Sequence, residues 1–162
     1  MTPNDVDFQF LRRTHGWSEA RLYIDGCLQE FILTHIFDDP LEAICTATVC
    51  LANGADEVYF SWFDEPGYDW KLSKVKSEHH LLDVLIYDRS DIMGSNHCQV
   101  SNSKLHQQIS FKVTRDFWIA LVTLEAEKIA QLLTYRHYKV DRNPHDFPWR
   151  ELQELKRYMR NR

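Results

Sequence analysis

The chain has 162 residues, of which 44% are hydrophobic and 13% aromatic, and its formal net charge at pH 7 is −5. This length and apolar content exclude a disordered chain and a small scaffold that needs disulfides or a metal, and they predict one domain over residues 1–162. The acidic balance argues against general nucleic-acid binding, because phosphate contacts need clustered Lys and Arg.

The charge is unevenly distributed. From Arg136 to the last residue there are eight Lys or Arg against four Asp or Glu, whereas the preceding residues contain eleven basic and twenty acidic side chains. An acidic body is compatible with docking a basic partner protein, and it also keeps a protein soluble. The basic tail ends in Lys156, Arg157, Arg160 and Arg162. It is typical of a solvated helix face, and the acidic body can neutralise it if the two pack together.

The first ten residues, MTPNDVDFQF, show neither the basic region nor the apolar run of a secretory signal. No segment approaches the roughly 20 apolar residues that cross a bilayer. We therefore expect a cytosolic protein without a membrane partner, in which the four cysteines are free thiols. They are Cys27, Cys45, Cys50 and Cys98.

The N-terminal third predicts strands followed by a helix. Residues 20–26, ARLYIDG, alternate apolar and polar side chains and end in an Asp-Gly turn signal. Residues 27–37, CLQEFILTHIF, are more continuously apolar and indicate a strand that is covered on both faces or bends. A helix then begins with Asp39 as N-cap and Pro40 at its first position, and it ends at Asn53-Gly54.

Alternating segments return after this helix and predict four further strands. These are residues 56–63, 68–75, 80–88 and 105–113. The stretch 87–104 is rich in Ser, Asn and Asp, which indicates a long loop or a ragged hairpin connection.

The last third predicts two helices. Thr114 caps a long helix over 115–136, and an amphipathic helix follows over 148–162. Strands joined by short turns are antiparallel, so we predict an α+β domain with one curved antiparallel sheet of about six or seven strands. Two or three helices should pack on one face, with the helices over 40–53 and 115–136 covering its aromatic side chains.

The stretch SWFDEPGYDW, residues 61–70, places the adjacent carboxylates Asp64 and Glu65 among aromatic residues, as an acid/base pair in a carbohydrate enzyme would be. Neighbouring side chains of an extended chain point in opposite directions, whereas a retaining glycosidase needs carboxyls about 5 Å apart across one bond. Pro66 and Gly67 instead suit the central positions of a type II turn. We therefore predict a tight hairpin turn, with aromatic pairing across it between Trp62, Tyr68 and Trp70.

Histidines and cysteines show no metal-binding spacing. The candidates are His79, His80, His97, Cys98 and His106, which contain neither C-x-x-C nor H-x-x-x-H. Exposed loop histidines are the simpler interpretation.

Nucleophilic and nucleotide motifs are absent from the sequence. Cys27 and His35 lie eight residues apart with nothing to orient them as nucleophile and base. Cys45 and Cys50 are out of phase on the predicted helix and are interpreted as small buried apolar residues. Asp38, beside the N-cap Asp39, favours the positive end of the helix dipole, which explains this pair without a metal. The sequence therefore predicts no catalytic, cofactor-binding or metal-binding residues.

THIFDDPLEA (34–43), DEPGYDWKL (64–72) and the Gly16-Trp17 pair together resemble a loosely defined group of small uncharacterised bacterial proteins. In that group a strand leads into a DPL helix start and is followed by a D-E-P-G hairpin. The resemblance covers about residues 15–90, and the matched positions are ones that a fold keeps for backbone reasons. Small acidic proteins of this style look like immunity proteins, which bind and neutralise a cognate toxin.

Three functions are compatible with these observations. The preferred one is a non-enzymatic protein-binding module, immunity-like or antitoxin-like, with a basic toxin-like partner. The second is a small-ligand-binding protein or enzyme with a pocket between the sheet and the long helix, where Tyr59, His35 or Asp83 would supply polar groups. The third is a structural protein that self-associates through exposed sheet aromatics.

Overall fold

A computed structural model describes residues 2–64, 67–89 and 108–162. One antiparallel sheet has the strand order β1 (Val6–Arg12), β2 (Trp17–Ile24) and β3 (Cys27–Thr34). The second has the order β4 (Glu57–Trp62), β5 (Tyr68–Val75), β6 (Glu78–Asp88) and β7 (Gln108–Thr114). The helices are α1 (Pro40–Ala52), α2 (Arg115–Leu132), α3 (Arg136–Lys139) and α4 (Trp149–Arg160), with a 3-10 turn at Pro144–Asp146. None of the helices in these ranges is both long enough and apolar enough to cross a membrane.

The α+β class and the antiparallel pairing are confirmed, but the prediction of a single sheet of six or seven strands is wrong. Helix α1 separates β3 from β4 along the chain, so these strands are not joined by a hairpin and do not pair as neighbours. The two sheets still meet at their margins. Thr34 N donates to Phe63 O at 2.9 Å, and Asn4 N donates to Lys112 O at 2.8 Å.

Strand β1 was not predicted, although its signal is present. Its inward positions Val6, Phe8 and Phe10 are buried and alternate with more exposed residues, as the sequence VDFQFLR allows. The fourth inward position is Arg12, which is also buried and interrupts the apolar pattern with a charge.

The predicted helix starts are confirmed, whereas several of the predicted segment ends differ from the structure. Asp39 accepts from Leu41 N at 2.8 Å and caps α1, and Thr114 caps α2. Helix α2 ends at Leu132 rather than at residue 136. Strand β3 ends at Thr34 rather than at residue 37 and is not covered on both faces, since Ile32 is exposed. The loop prediction over 87–104 lies mostly outside the described residues.

Aromatic side chains join the two sheets and α2. Trp62 of β4 packs 5.6 Å from Phe31 of the first sheet and 4.8 Å from Trp70 of β5, between ring centroids. Trp118 of α2 lies 6.1 Å from Trp70 and 6.2 Å from Phe8. Trp62 Nε1 also donates to Pro40 O at 2.9 Å, which ties α1 to β4. Helix α2 therefore packs against aromatic side chains of both sheets, and α1 is hydrogen-bonded to one of them.

The predicted hairpin is confirmed as a β4–β5 connection, whereas the tight type II turn predicted over 64–67 lies partly outside the described residues. Trp62 pairs with Tyr68 across it. Gly67 has φ +109°, and an added Cβ would clash with the carbonyl oxygen of Trp62, so this position needs glycine for its backbone and for space. Glu65 and Pro66 lie outside the described residues.

The basic tail packs on the acidic body, as its charge suggested. Lys156 of α4 pairs with Glu127 of α2 at 2.6 Å, and Arg162 pairs with Asp116. Tyr158 Oη also donates to Asp116, at 2.9 Å. Part of the tail's positive charge is therefore neutralised within the chain.

Candidate functional site

Within the described part of the chain, the histidines and cysteines considered as a metal site from the sequence are not brought together. His79 and His80 are exposed on β6, while His97, Cys98 and His106 lie outside the described residues. Within the ranges that the structure describes, no group of three His, Cys, Asp or Glu side chains is placed to hold a metal ion.

The candidate polar groups for a pocket line three different surface depressions. Tyr59 lies between α1 and β4, His35 beside the 3-10 turn, and Asp83 on the β5–β6 side of the second sheet. Cys27 starts β3 and His35 follows its end, so eight extended residues keep them roughly 26 Å apart. The structure therefore brings neither set together.

One of the two helix cysteines was assigned wrongly. Cys45 is buried as predicted, and its burial raises the pKa of the thiol. Cys50, expected to be buried as well, is exposed, because five residues along a helix place it about 140° away from Cys45.

A buried polar network connects the end of β1 to the start of α1. The side chain of Arg12 is 3% exposed, and its Nη2 lies 3.1 Å from Asp39 Oδ2. The other carboxylate oxygen of Asp39 is the cap of α1. Ser18 Oγ and His35 Nε2 share a hydrogen bond of 2.6 Å, and His35 Nδ1 lies 3.7 Å from Asp39 Oδ2.

Ser18, His35 and Asp39 follow one another as in a hydrolase triad, yet the geometry does not suit nucleophilic attack. Ser18 is 1% exposed, so its hydroxyl is not open to a substrate. The pKa of His35 is lowered, mainly by burial and also by the positive charge of Arg12. The negative charge of Asp39 opposes this shift. This network anchors the β3–α1 connection.

A concave acidic surface lies directly above this network. We call it the acidic cleft; it has a volume of about 570 Å³ and lies between the β3–α1 connection and the start of α4. Its acidic lining residues are Asp38, Asp39, Glu42, Asp146 and Glu151, and its basic ones are His35, His145 and Arg150, of which Arg150 pairs with Glu154 at 3.2 Å. Since they come from α1, the 3-10 turn and α4, the packing of α4 against α1 creates the cleft.

Four of the five carboxylates of the acidic cleft have no ion pair among the described residues, unlike most other carboxylates on the described surface. Ion pairs engage acidic residues elsewhere, for example Glu19 with Arg13 at 2.7 Å and Glu57 with Lys71 at 2.8 Å. In the cleft only Asp39 is paired. For Asp38, Glu42, Asp146 and Glu151, no ion-pair partner exists among residues 2–64, 67–89 and 108–162.

The pKa of Glu42 is raised by partial burial and by the negative potential of the acidic cleft. That potential comes from the negative charges of Asp39, Glu151, Asp38 and Asp146. Like charges held this close repel each other, and a cation placed among them would relieve that repulsion.

No protein-family model matches the chain, and no curated protein or solved structure is significantly similar to it.

Sequence reasoning missed Glu42, Asp146 and Glu151 as site residues. Asp38 and Asp39 were noticed but explained by the helix start, an explanation that holds for Asp39 because it caps α1. The acidic excess of the body was the signal available for Glu42, and none pointed to Asp146 and Glu151, which lie in the basic tail more than 100 positions away.

Proposed function

We propose that the chain is a non-enzymatic protein-binding module of the immunity or antitoxin type, whose acidic cleft receives a Lys or Arg side chain of a basic, toxin-like partner. The observation that supports this proposal is the convergence of Asp38, Glu42, Asp146 and Glu151 in one concave site without an ion pair among the described residues. Elsewhere on the described surface, many carboxylates already have a Lys or Arg of this chain beside them.

A cationic side chain matches this site in charge and in hydrogen bonding. Carboxylates accept charge-assisted hydrogen bonds from guanidinium or ammonium groups, and Arg can bind one carboxylate through two parallel bonds. A negative surface also steers a basic protein toward the cleft, which raises the association rate at low ionic strength. The same charges would repel the phosphates of a nucleic acid.

The test is light scattering coupled to size exclusion, first on the chain alone and then with the purified product of the neighbouring gene. We expect a complex that weakens with added salt. The double substitution Glu42→Gln and Glu151→Gln should raise the dissociation constant about tenfold or more, since it removes two of the converging charges.

A matched control removes the same net charge away from the cleft. Glu30→Gln with Asp56→Asn changes two carboxylates that pair with Arg21 and Lys74. This control should change the dissociation constant by no more than about twofold, because exposed, screened charges contribute little. A partner that stays unbound at low salt would contradict the proposal, and so would equal binding by the cleft variant and the unmodified chain.

Glu42→Gln should also leave the fold at least as stable at pH 7. Because the pKa of Glu42 is raised in the folded state from its ordinary value of 4.5, ionising this group as the pH rises costs folding stability. The glutamine variant avoids that cost, which we expect to be roughly 0.2–1 kcal/mol since the side chain is largely exposed.

Urea denaturation at pH 7 and at pH 4 measures this difference in the free energy of unfolding. The advantage of the variant should shrink at the lower pH, where Glu42 becomes protonated in both the folded and the unfolded chain. A variant that is less stable than the unmodified chain at pH 7 would contradict this expectation.

A further inference from the structure

A second depression adjoins the acidic cleft and has a different character. We call it the aromatic groove; it lies between α1 and β4 and has a volume of about 730 Å³. It shares Asp38, Asp39 and Glu42 with the acidic cleft. Its apolar and aromatic lining residues include Ala43, Ala47, Val58, Tyr59, Phe60 and Phe63.

Large apolar side chains are exposed along this combined surface. Tyr59 is 64% exposed and Phe37 is 71% exposed, and the Phe37 ring packs 5.3 Å from that of Phe63. Ile36, next to Phe37, is exposed as well but lines neither depression. Exposed aromatic rings beside a concave surface are typical anchor positions of protein interfaces, because they bury much area at low entropic cost.

The charge of the aromatic groove is concentrated at the end that it shares with the acidic cleft. Glu57 lines the groove, but Lys71 already neutralises it at 2.8 Å, and the same ammonium lies 5.4 Å from the centroid of the Tyr59 ring. Asp38 and Glu42 have no such partner in the described part of the chain. The carboxylates without an ion pair among the described residues therefore lie at the acidic cleft, which Phe37, Phe147 and Trp149 also line, while mainly apolar and aromatic side chains line the rest of the aromatic groove.

We propose that the acidic cleft and the aromatic groove form one docking surface for an extended segment of a basic partner protein. An Arg or Lys side chain of that segment enters the acidic cleft, and a neighbouring apolar side chain of the same segment lies in the aromatic groove. This inference rests on the proposed function and adds the sequence character of what is recognised. Charge complementarity selects the basic residue, and the exposed rings select the apolar one.

Short capped peptides test the segment separately from the whole partner. The probe is acetyl-Gly-Arg-Gly-Leu-Gly-amide, added to the isotope-labelled chain in two-dimensional amide NMR spectra. We expect a dissociation constant on the order of 1 mM. The amides of Glu42 and Glu151 should shift together with those of Ala47 and Tyr59. Replacing Arg by the neutral isostere citrulline, or Leu by Ser, should weaken binding about fivefold or more in each case.

Two substitutions test which half of the surface recognises which peptide side chain. Tyr59→Ala should remove the preference for Leu over Ser and keep the preference for Arg over citrulline, whereas Glu42→Gln should do the reverse. Tyr135→Ala is the matched control, because Tyr135 is also an exposed tyrosine but does not line either depression. It should bind all three peptides as the unmodified chain does.

Each other outcome overturns the inference in a distinguishable way. If only the amides of the acidic cleft shift and Leu makes no difference, the aromatic groove is not part of the site, while the proposed function stands. If no peptide causes shifts at about 5 mM, the surface does not recognise such a segment.

If light scattering shows that the chain alone is a dimer and Tyr59→Ala makes it monomeric, the occupant is a second copy. A neighbouring gene product that stays unbound while the peptides behave as expected would remove the proposed partner and leave the docking surface.

Discussion

Replacing Asp39 with alanine should lower the free energy of unfolding by about 3–5 kcal/mol. Its carboxylate is the acidic partner of Arg12, whose side chain is only 3% exposed and lies 3.1 Å away. Without that carboxylate a guanidinium stays buried with reduced compensation, since Arg12 Nη1 already has no hydrogen-bond partner in the described part of the chain. Urea denaturation should show a lower midpoint with an unchanged dependence on denaturant.

Two comparison variants separate the causes of this loss. Asp39→Asn keeps an oxygen that can cap α1 and removes only the charge, so the difference between Ala and Asn reports the cap, worth about 0.5–2 kcal/mol. Combining Arg12→Met with Asp39→Asn should recover much of the lost stability, because the uncompensated charge is then gone. If Asp39→Ala costs no more than the cap alone, the ion pair with Arg12 does not support the fold.

Replacing Trp62 with alanine should cost about 3–5 kcal/mol of folding stability. Trp62 is fully buried and touches aromatic rings of both sheets, among them Phe31 at 5.6 Å and Trp70 at 4.8 Å between centroids. Removing its ring would leave a cavity where the two sheets meet, and neither sheet could collapse to fill it without losing its own strand register.

The indole nitrogen of Trp62 also contributes to folding stability, through a hydrogen bond. It donates to Pro40 O at 2.9 Å, whereas the indole nitrogen of the equally buried Trp118 has no hydrogen-bond partner among the described residues. Trp62→Phe should therefore destabilise the chain by about 0.5–1.5 kcal/mol more than Trp118→Phe, as measured by urea denaturation under the same conditions. Equal losses for the two phenylalanine variants would mean that the bond to α1 contributes nothing.

Sequence patterns predicted the features that depend on residues close together in the chain, such as helix ends and hairpin turns. Helix α1 begins and ends where Asp39, Pro40 and the Asn53-Gly54 pair predicted, because caps and stops act on backbone groups within a few residues. The hairpin between β4 and β5 follows from alternation on both sides of a turn that requires Gly67. Strand β1 was missed although Val6, Phe8 and Phe10 alternate with other residues, and the charge of Arg12 breaks the apolar pattern only at the last position of the strand.

The acidic cleft could not be predicted from patterns of neighbouring residues in the sequence. Glu42 looked like an ordinary first-turn residue of a helix, and Asp146 and Glu151 looked like surface residues of a solvated tail. Their proximity depends on α4 packing against α1, which is a contact between segments about 100 residues apart. No spacing in the sequence encodes such a contact, so the site became visible only as geometry.

The α+β class, the antiparallel strands, the helix starts and the acidic excess can be predicted from the amino-acid sequence, since hydrophobic period, capping and turn chemistry operate between near neighbours. Long-range packing instead sets the division into two sheets, the burial of Arg12 against Asp39 and the meeting of four carboxylates without an ion pair among the described residues. These features follow from how the aromatic faces and the helices pack, and that packing is a property of the whole chain at once.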